Sequence, residues 1–298
     1  MSRVAAPTSA RAGAGMAVAA IVCVQIGIAV SVGLFDDIGP AGAAALRLAW
    51  AGVLLLLFVR PRPSAFSRRG LAASAGLGVV TGSMTLCFME AVARLPLGTA
   101  AALEFLGPLG VAIARGRGAA KIWPATAAVG VLLLTEPWQG AASADGIAFA
   151  LAAATGWAAY ILLTQKVGDE VAGLHGLAIS MPIAGLVALL VARPDPAVVL
   201  TPDMVLAGIG LAILLPVIPF ALELLALRRL TTTAFGTLMS LEPAVALIVG
   251  LVALHQTPAL GPVVGIMFVV VAGIGAQRDG ARRAAVGSLS ADAALARA

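Results

Sequence analysis

From residue 14 to residue 277 the chain repeats one pattern: a run of about 20 mostly apolar residues, then a short break rich in charge, proline or glycine. The runs fall near 14–34, 42–59, 71–93, 97–114, 120–137, 146–165, 173–192, 204–227, 232–254 and 259–277. About 20 apolar residues in a helix cross the hydrocarbon core of a bilayer. Composition closes off the soluble alternative. Only 11% of residues are charged and 61% are hydrophobic, whereas a soluble domain carries about 25% charged residues. There is too little polar surface to cover a water-facing globule. The pattern predicts an all-α polytopic membrane protein with ten transmembrane helices. Polar tails are expected at 1–13 and 278–298. The arginine-bearing start before the first run is read as an uncleaved first helix, because the run exceeds a signal-peptide h-region and nine more follow.

Loops placed alternately on two sides, with the N-terminus inside, separate the charges sharply. Of the 19 Lys and Arg residues, sixteen fall inside, Arg94 and Arg193 fall outside, and Arg47 lies within a span. That asymmetry predicts both termini in the cytoplasm. It also explains the net charge of +5 without invoking nucleic acid.

An internal repeat supports the count. A shift of 135 residues lays Ala91, Arg94, Leu95, Leu103, Leu106 and Pro108 on Ala226, Arg229, Leu230, Leu238, Leu241 and Pro243. The offset equals five spans, an odd number, so the halves would enter the membrane in opposite directions. Inverted repeats place a substrate site near the midplane where the halves meet. The expected units are 14–137 and 146–277.

Few ionisable residues lie in the spans: Arg47, Glu90, Glu104, Glu223 and Glu242. An acid at the bilayer centre costs about 2.5–3.5 kcal/mol on insertion scales, and such residues mark pathways and sites. Glu104 and Glu242 lie deepest and are the leading candidates for a substrate amino group or a proton. Arg47 is a candidate contact for a substrate carboxylate. Arg47, Glu90 and Glu104 are expected to share the outer half of the bilayer and to converge. Glu90 and Glu223 sit near span ends and rank lower. The competing reading of all five is that they pair with one another and only fix helix register.

Pro108 and Pro243 are candidate helix breaks, since proline removes a backbone donor and kinks a helix. Pro216 and Pro219 are a second such place, beside Glu223. Aligned on the prolines, Glu104 falls opposite Met239 and Glu242 opposite Gly107, so the two acids are three residues out of register. Trp157 and Tyr160, three apart on one span, are candidates to line a cavity or to pack. Gly78/Gly82 and Gly261/Gly265 have the spacing for close helix approach and are read as internal packing.

Several chemistries are not supported. Cys23 and Cys87 lie in apolar runs and offer no disulfide framework, and His175 and His255 are too far apart for a convincing zinc site. No P-loop, no Ser/His/Asp arrangement and no HExxH motif occurs. No cofactor or metal is expected. A gradient-driven transporter is the simplest machine consistent with these residues. A membrane-embedded enzyme or a non-transporting receptor or assembly subunit are the rivals.

Four stretches carry a family resemblance: ALRLAWAGVLLLLF (Ala45–Phe58), LPLGTAAALEFLGPLGVAIA (Leu95–Ala114), GWAAYILLTQKVG (Gly156–Gly168) and FGTLMSLEPAVALIVG (Phe235–Gly250). They resemble the EamA-type drug/metabolite transporter superfamily, and ALEFLGPL and FGTLMSLEPA look most like its bacterial threonine/homoserine exporter branch. The resemblance runs from about residue 15 to 277. It implies two five-helix EamA repeats, an inner-membrane location, and export of small amino acids by proton exchange. Drugs or other metabolites are the alternative substrates within the superfamily. The implied partners are the small-molecule substrate, protons and the bilayer; nucleic acid is not implied and oligomeric state is left open. Arg47, Glu104, Glu242 and Pro243 match branch positions as residues, without roles attached. The chain departs from the branch in its scarcity of aromatics and in the stretch Glu170–Thr201, which carries no branch motif.

Overall fold

The computed structural model describes residues 7–62, 66–115, 122–136, 143–171, 174–193, 201–227, 229–230 and 232–275. The expected C-terminal tail, 278–298, lies outside them. Every regular element among the described residues is helical. Seven helical segments are long and apolar enough to cross a membrane, and three shorter apolar helices accompany them at Ile122–Thr135, Pro202–Leu215 and Leu260–Gly275. The protein is a multi-pass membrane protein.

The first three apolar runs form α1 (Pro7–Val32), α2 (Phe35–Val59) and α3 (Arg68–Val92). Helix α1 begins inside the expected polar tail, because the alanine-rich residues after Pro7 extend the helix outward. Helix α2 opens with a short turn carrying Asp36 and Asp37 and re-starts at Gly39–Pro40. Gly39 has φ +70°, a conformation that glycine adopts without a Cβ penalty. Ser67 begins α3 by accepting the Gly70 N–H, a standard N-cap.

The fourth run is two helices, α4 (Leu97–Glu104) and α5 (Leu106–Arg115), and α6 (Ile122–Thr135) follows. In the second half come α7 (Ala144–Glu170) and α8 (His175–Ala192). The eighth run is α9 (Pro202–Ala212), a π-helical turn (Ile213–Val217) and α10 (Ile218–Leu227). The ninth is again split, into α11 (Thr232–Met239) and α12 (Glu242–Ala253). The last described helix, α13, covers Leu260–Gly275.

Surface and interior have the polarity of a lipid-embedded bundle. Large apolar side chains point outward, Phe58 at 81% exposure and Leu260 at 79%, while the interior is built largely of alanine and other small residues such as Ala44, Ala150 and Ala184. Between helices in lipid the attraction comes from close van der Waals packing, which small residues permit. Gly78 and Gly82 face the α8 backbone at Ser180 and Ala184, and Gly265 faces Gly130 on α6. Close contact within one chain accounts for both glycine pairs.

Helix contacts come in matching sets. Helix α3 packs on α7 and α8, and α10 with its π turn packs on α1 and more lightly on α2. Helices α4 and α5 pack on α7, as α11 and α12 pack on α1. Arg94 and Leu95 close over Gly146 near the start of α7, while Arg229 and Leu230 close over Gly13 near the start of α1.

Candidate functional site

Three helices end four residues before a proline. Helix α4 ends at Glu104, before Pro108. Helix α11 ends at Met239, before Pro243. Helix α9 ends at Ala212, before Pro216. The cause is local. A proline has no N–H for the carbonyl four residues back, and its ring crowds that carbonyl. At the first site the chain turns at Phe105 and resumes as Leu109 N–H donates to the Phe105 carbonyl. At the second it turns through Ser240 and Leu241, with tight bonds from Leu241 N–H to Leu238 and from Ala244 N–H to Leu241. At the third the backbone widens into the π turn that contains Pro216; Pro219 follows within α10. There the helix is irregular but continuous.

The first two breaks are one construction used twice. A shift of 135 residues lays α4 on α11 at both ends, Leu97 on Thr232 and Glu104 on Met239. The breaks also meet in space. Gly273 on α13 lies between them: a methyl group added there would sit 2.8 Å from Phe105 Cε1 and 2.8 Å from Ser240 Oγ.

Around the paired breaks the structure gathers most of the intramembrane charge. Arg47, from α2, and Glu104, at the end of α4, are each 8% exposed and act electrostatically on one another. Glu242, at the first position of α12, acts on Glu104, and Glu223 on α10 acts on Glu242. Neither the Arg47 guanidinium nor the Glu104 carboxylate has a hydrogen bond or ion pair to a described residue, yet none of their polar atoms is fully enclosed. Both therefore keep some exposed polar surface despite their burial. Helix ends add to this pattern. The C-terminal end of α4 presents carbonyls, a partial negative charge that favours a cation, while the N-terminal end of α12 favours an anion.

Glu90 is not part of this group. Its carboxylate forms an ion pair with Arg94, four residues on, whose guanidinium also lies over the Phe149 ring, 5.0 Å from the centroid. The sequence predicts that Arg47, Glu90 and Glu104 converge in the outer half of the bilayer, but Arg94, just beyond the end of α3, takes up the Glu90 charge. Trp157 and Tyr160 part company. Trp157 stands edge-on to Phe105, with ring centroids 6.3 Å apart and planes at 79°, so it braces the first break. Tyr160 packs beside the α3–α7 cluster of Ala73, Leu77 and Val167 and interacts with Glu223.

Beside the site lies a residue that the charge pattern of the sequence does not mark. Gln25 on α1 is 1% exposed, and its Nε2 donates to Glu242 Oε1 at 3.2 Å. Its Oε1 is buried with no donor among the described residues. An unpartnered buried polar atom costs about 1–3 kcal/mol, so an amide is an expensive choice here. The signal was present: Gln25 is the one amide in the run 14–34.

Comparison with known proteins fits this architecture. The chain is 36% identical over 246 residues to the threonine/homoserine exporter RhtA of Escherichia coli K12, covering 80% of this chain and 82% of that one. The chain belongs to the EamA-like transporter family. The EamA-like transporter family itself matches residues 144–275. RhtA of Salmonella typhimurium LT2 is 34% identical over 260 residues, 85% of this chain and 86% of the relative. A solved crystal structure superposes with a TM-score of 0.61 over 91% of this chain and 98% of that one. At 16% identity that likeness speaks for the fold alone.

Proposed function

We propose that this protein exports threonine- and homoserine-like amino acids across the bacterial inner membrane in exchange for protons. The proposed architecture is ten transmembrane helices in two inverted five-helix repeats, residues 14–137 and 146–277, with both termini cytoplasmic. Its support is the end-to-end register of α4 with α11, the odd five-span offset, the matching helix contacts and the concentration of Lys and Arg on one side.

The observation that carries the functional reading is the buried Arg47–Glu104 pair beside the two breaks. Opposite charges with accessible polar ends suit a zwitterion: the guanidinium takes the α-carboxylate bidentately, and Glu104 with the α4 carbonyls takes the ammonium. Displacing water from one such pair is compensated by two charge-assisted contacts. Glu242 carries the proton. Its helix-end position and its Gln25 donor suit a carboxylate that alternates between ionised and protonated forms as the site opens to one side and then the other. Substrate and proton must differ in affinity between those two states for their fluxes to couple. The names of the related exporters supply the substrate class.

Proteoliposomes loaded with unlabelled threonine test this reading. Labelled threonine is expected to exchange across the wild-type protein, and a pH gradient is expected to drive net flux. No exchange across a broad amino-acid panel would reject the substrate class. Net flux that is indifferent to collapse of the proton gradient would reject antiport.

A further inference from the structure

Gln25 is an unexpected residue in its place. Its neighbours on α1 are valine, isoleucine, glycine, alanine and one cysteine, and α1 packs against α12 and α10. An apolar residue of similar volume would fill the position without leaving a polar atom unpartnered. The amide instead reaches across to Glu242, 217 positions away in sequence, and donates to one carboxylate oxygen. The charged groups around that oxygen come from other helices: Glu223 from α10, Glu104 from α4 and, acting on Glu104, Arg47 from α2. Among the described residues Gln25 is the one side-chain hydrogen-bond partner of Glu242.

We propose that Gln25 is the positioning residue of the proton-carrying acid: it holds the Glu242 carboxylate in place across the α1–α12 contact. This inference rests on the reading of Glu242 as the proton site. The choice of an amide has a chemical reason. A carboxamide carries a donor and an acceptor of nearly equal size, so a half-turn about its last bond exchanges them without changing its volume. With Glu242 ionised, Nε2–H donates to the carboxylate, as the structure shows. With Glu242 protonated, the carboxyl O–H donates to Oε1. A lysine or arginine would hold only the ionised form, and an aliphatic side chain would hold neither. A neutral two-way partner lets the acid change protonation state without losing its anchor, which a carrier that must both take and release a proton requires.

The consequence is specific. Threonine–threonine counterflow involves no change in the protonation of Glu242, so it does not need this anchor. Net flux driven by a pH gradient does. The test compares Gln25→Met, Gln25→Asn, Glu242→Gln and the double variant Gln25→Met/Glu242→Gln in proteoliposomes, with labelled threonine as probe. Gln25→Met is expected to lower pH-gradient-driven flux about tenfold, while counterflow stays within about twofold of wild type and the KM for threonine is unchanged. Gln25→Asn, which keeps the amide, is expected to recover part of the loss. The double variant is expected to be no worse than Glu242→Gln alone, since a residue acting through another contributes nothing once that other is gone. Gradient-driven flux at the wild-type level in Gln25→Met overturns the proposal, as does a parallel fall of counterflow and net flux, which is the mark of a packing role. Additive losses in the double variant also overturn it. If Glu242→Gln itself exports normally, or wild-type protein moves no threonine, the reading of the site fails and this inference falls with it.

Discussion

The two broken helices are built alike and furnished differently. Each is an eight-residue half-helix ended by a proline four residues on, and each break meets the same glycine, Gly273. The first break carries its acid at the end of α4, where helix carbonyls gather, with Arg47 facing it. The second carries its acid at the start of α12, where backbone N–H groups gather, with Gln25 holding it. At the residue equivalent to Glu104 the second half has Met239, and at the residue equivalent to Glu242 the first half has Gly107. Gly107 has its own reason: it lies directly against the Ala154 carbonyl of α7, where a side chain has no room. On the proposed two-repeat architecture the backbone of the site is supplied twice, with a charge pair at one end and a neutral anchor at the other. A symmetric pair of acids would bind two like charges; this pair suits one zwitterion and one proton.

The largest expected effect comes from breaking the charge pair at the first break. Arg47→Met and Glu104→Gln each leave the other charge buried without its counterpart and remove one substrate contact. Losing a charge-assisted contact is worth about 1.5–3 kcal/mol, so threonine efflux from an overexpressing strain should fall about 10- to 100-fold at unchanged protein level. Wild-type efflux in Glu104→Ala would remove Glu104 from the site altogether.

Healing the breaks comes next. Pro108→Ala gives the Glu104 carbonyl a donor and lets α4 and α5 join; Pro243→Ala does the same for Met239 and joins α11 to α12. Each regains one backbone hydrogen bond, worth about 1 kcal/mol, so the melting temperature should hold or rise while efflux falls several-fold. Equal losses in both variants would show that the two breaks matter alike; a loss confined to Pro108→Ala would show that only the charge-pair end needs its irregular backbone.

A third effect is structural. Gly273→Val places side-chain atoms into Phe105 and Ser240 at once, and overpacking of this kind costs about 1–3 kcal/mol. A lower melting temperature in detergent, with weaker efflux, is expected. The smallest effect belongs to Glu90→Ala. Its ion pair with Arg94 is partly exposed, the arginine side chain at 37% and the glutamate at 23%, and such pairs contribute about 0.3–0.5 kcal/mol. Efflux within about twofold of wild type separates Glu90 from the site that Glu104 occupies.

Much of this plan was legible in the sequence because lipid makes polar residues conspicuous. An acid or an arginine in an apolar run has few acceptable explanations, so Arg47, Glu104 and Glu242 stand out in the sequence. Proline marks where a helix can break, because it removes one backbone donor, but it does not decide the outcome: α8 runs unbroken through Pro182. What pattern could not supply was pairing. Glu90 and Glu104 are both expected in the outer half of the bilayer, and the ion pair with Arg94 sets Glu90 apart. Trp157 and Tyr160 lie three residues apart on one helix, yet Trp157 meets Phe105 at the first break and Tyr160 meets the α3–α7 cluster. Gln25 is inconspicuous in the sequence because an amide is uncharged, and its role depends on a residue 217 positions away. The early start of α1 escaped because alanine and glycine carry little hydropathy signal but extend an existing helix readily.

The division of labour between the two breaks is tested most directly by measuring threonine counterflow and pH-gradient-driven flux side by side for Glu104→Gln and Glu242→Gln in proteoliposomes. Glu104→Gln should lose both, because the substrate loses its ammonium partner; Glu242→Gln should keep counterflow and lose only the gradient-driven flux. Identical behaviour of the two variants, whether both lose counterflow or both keep gradient-driven flux, would contradict it.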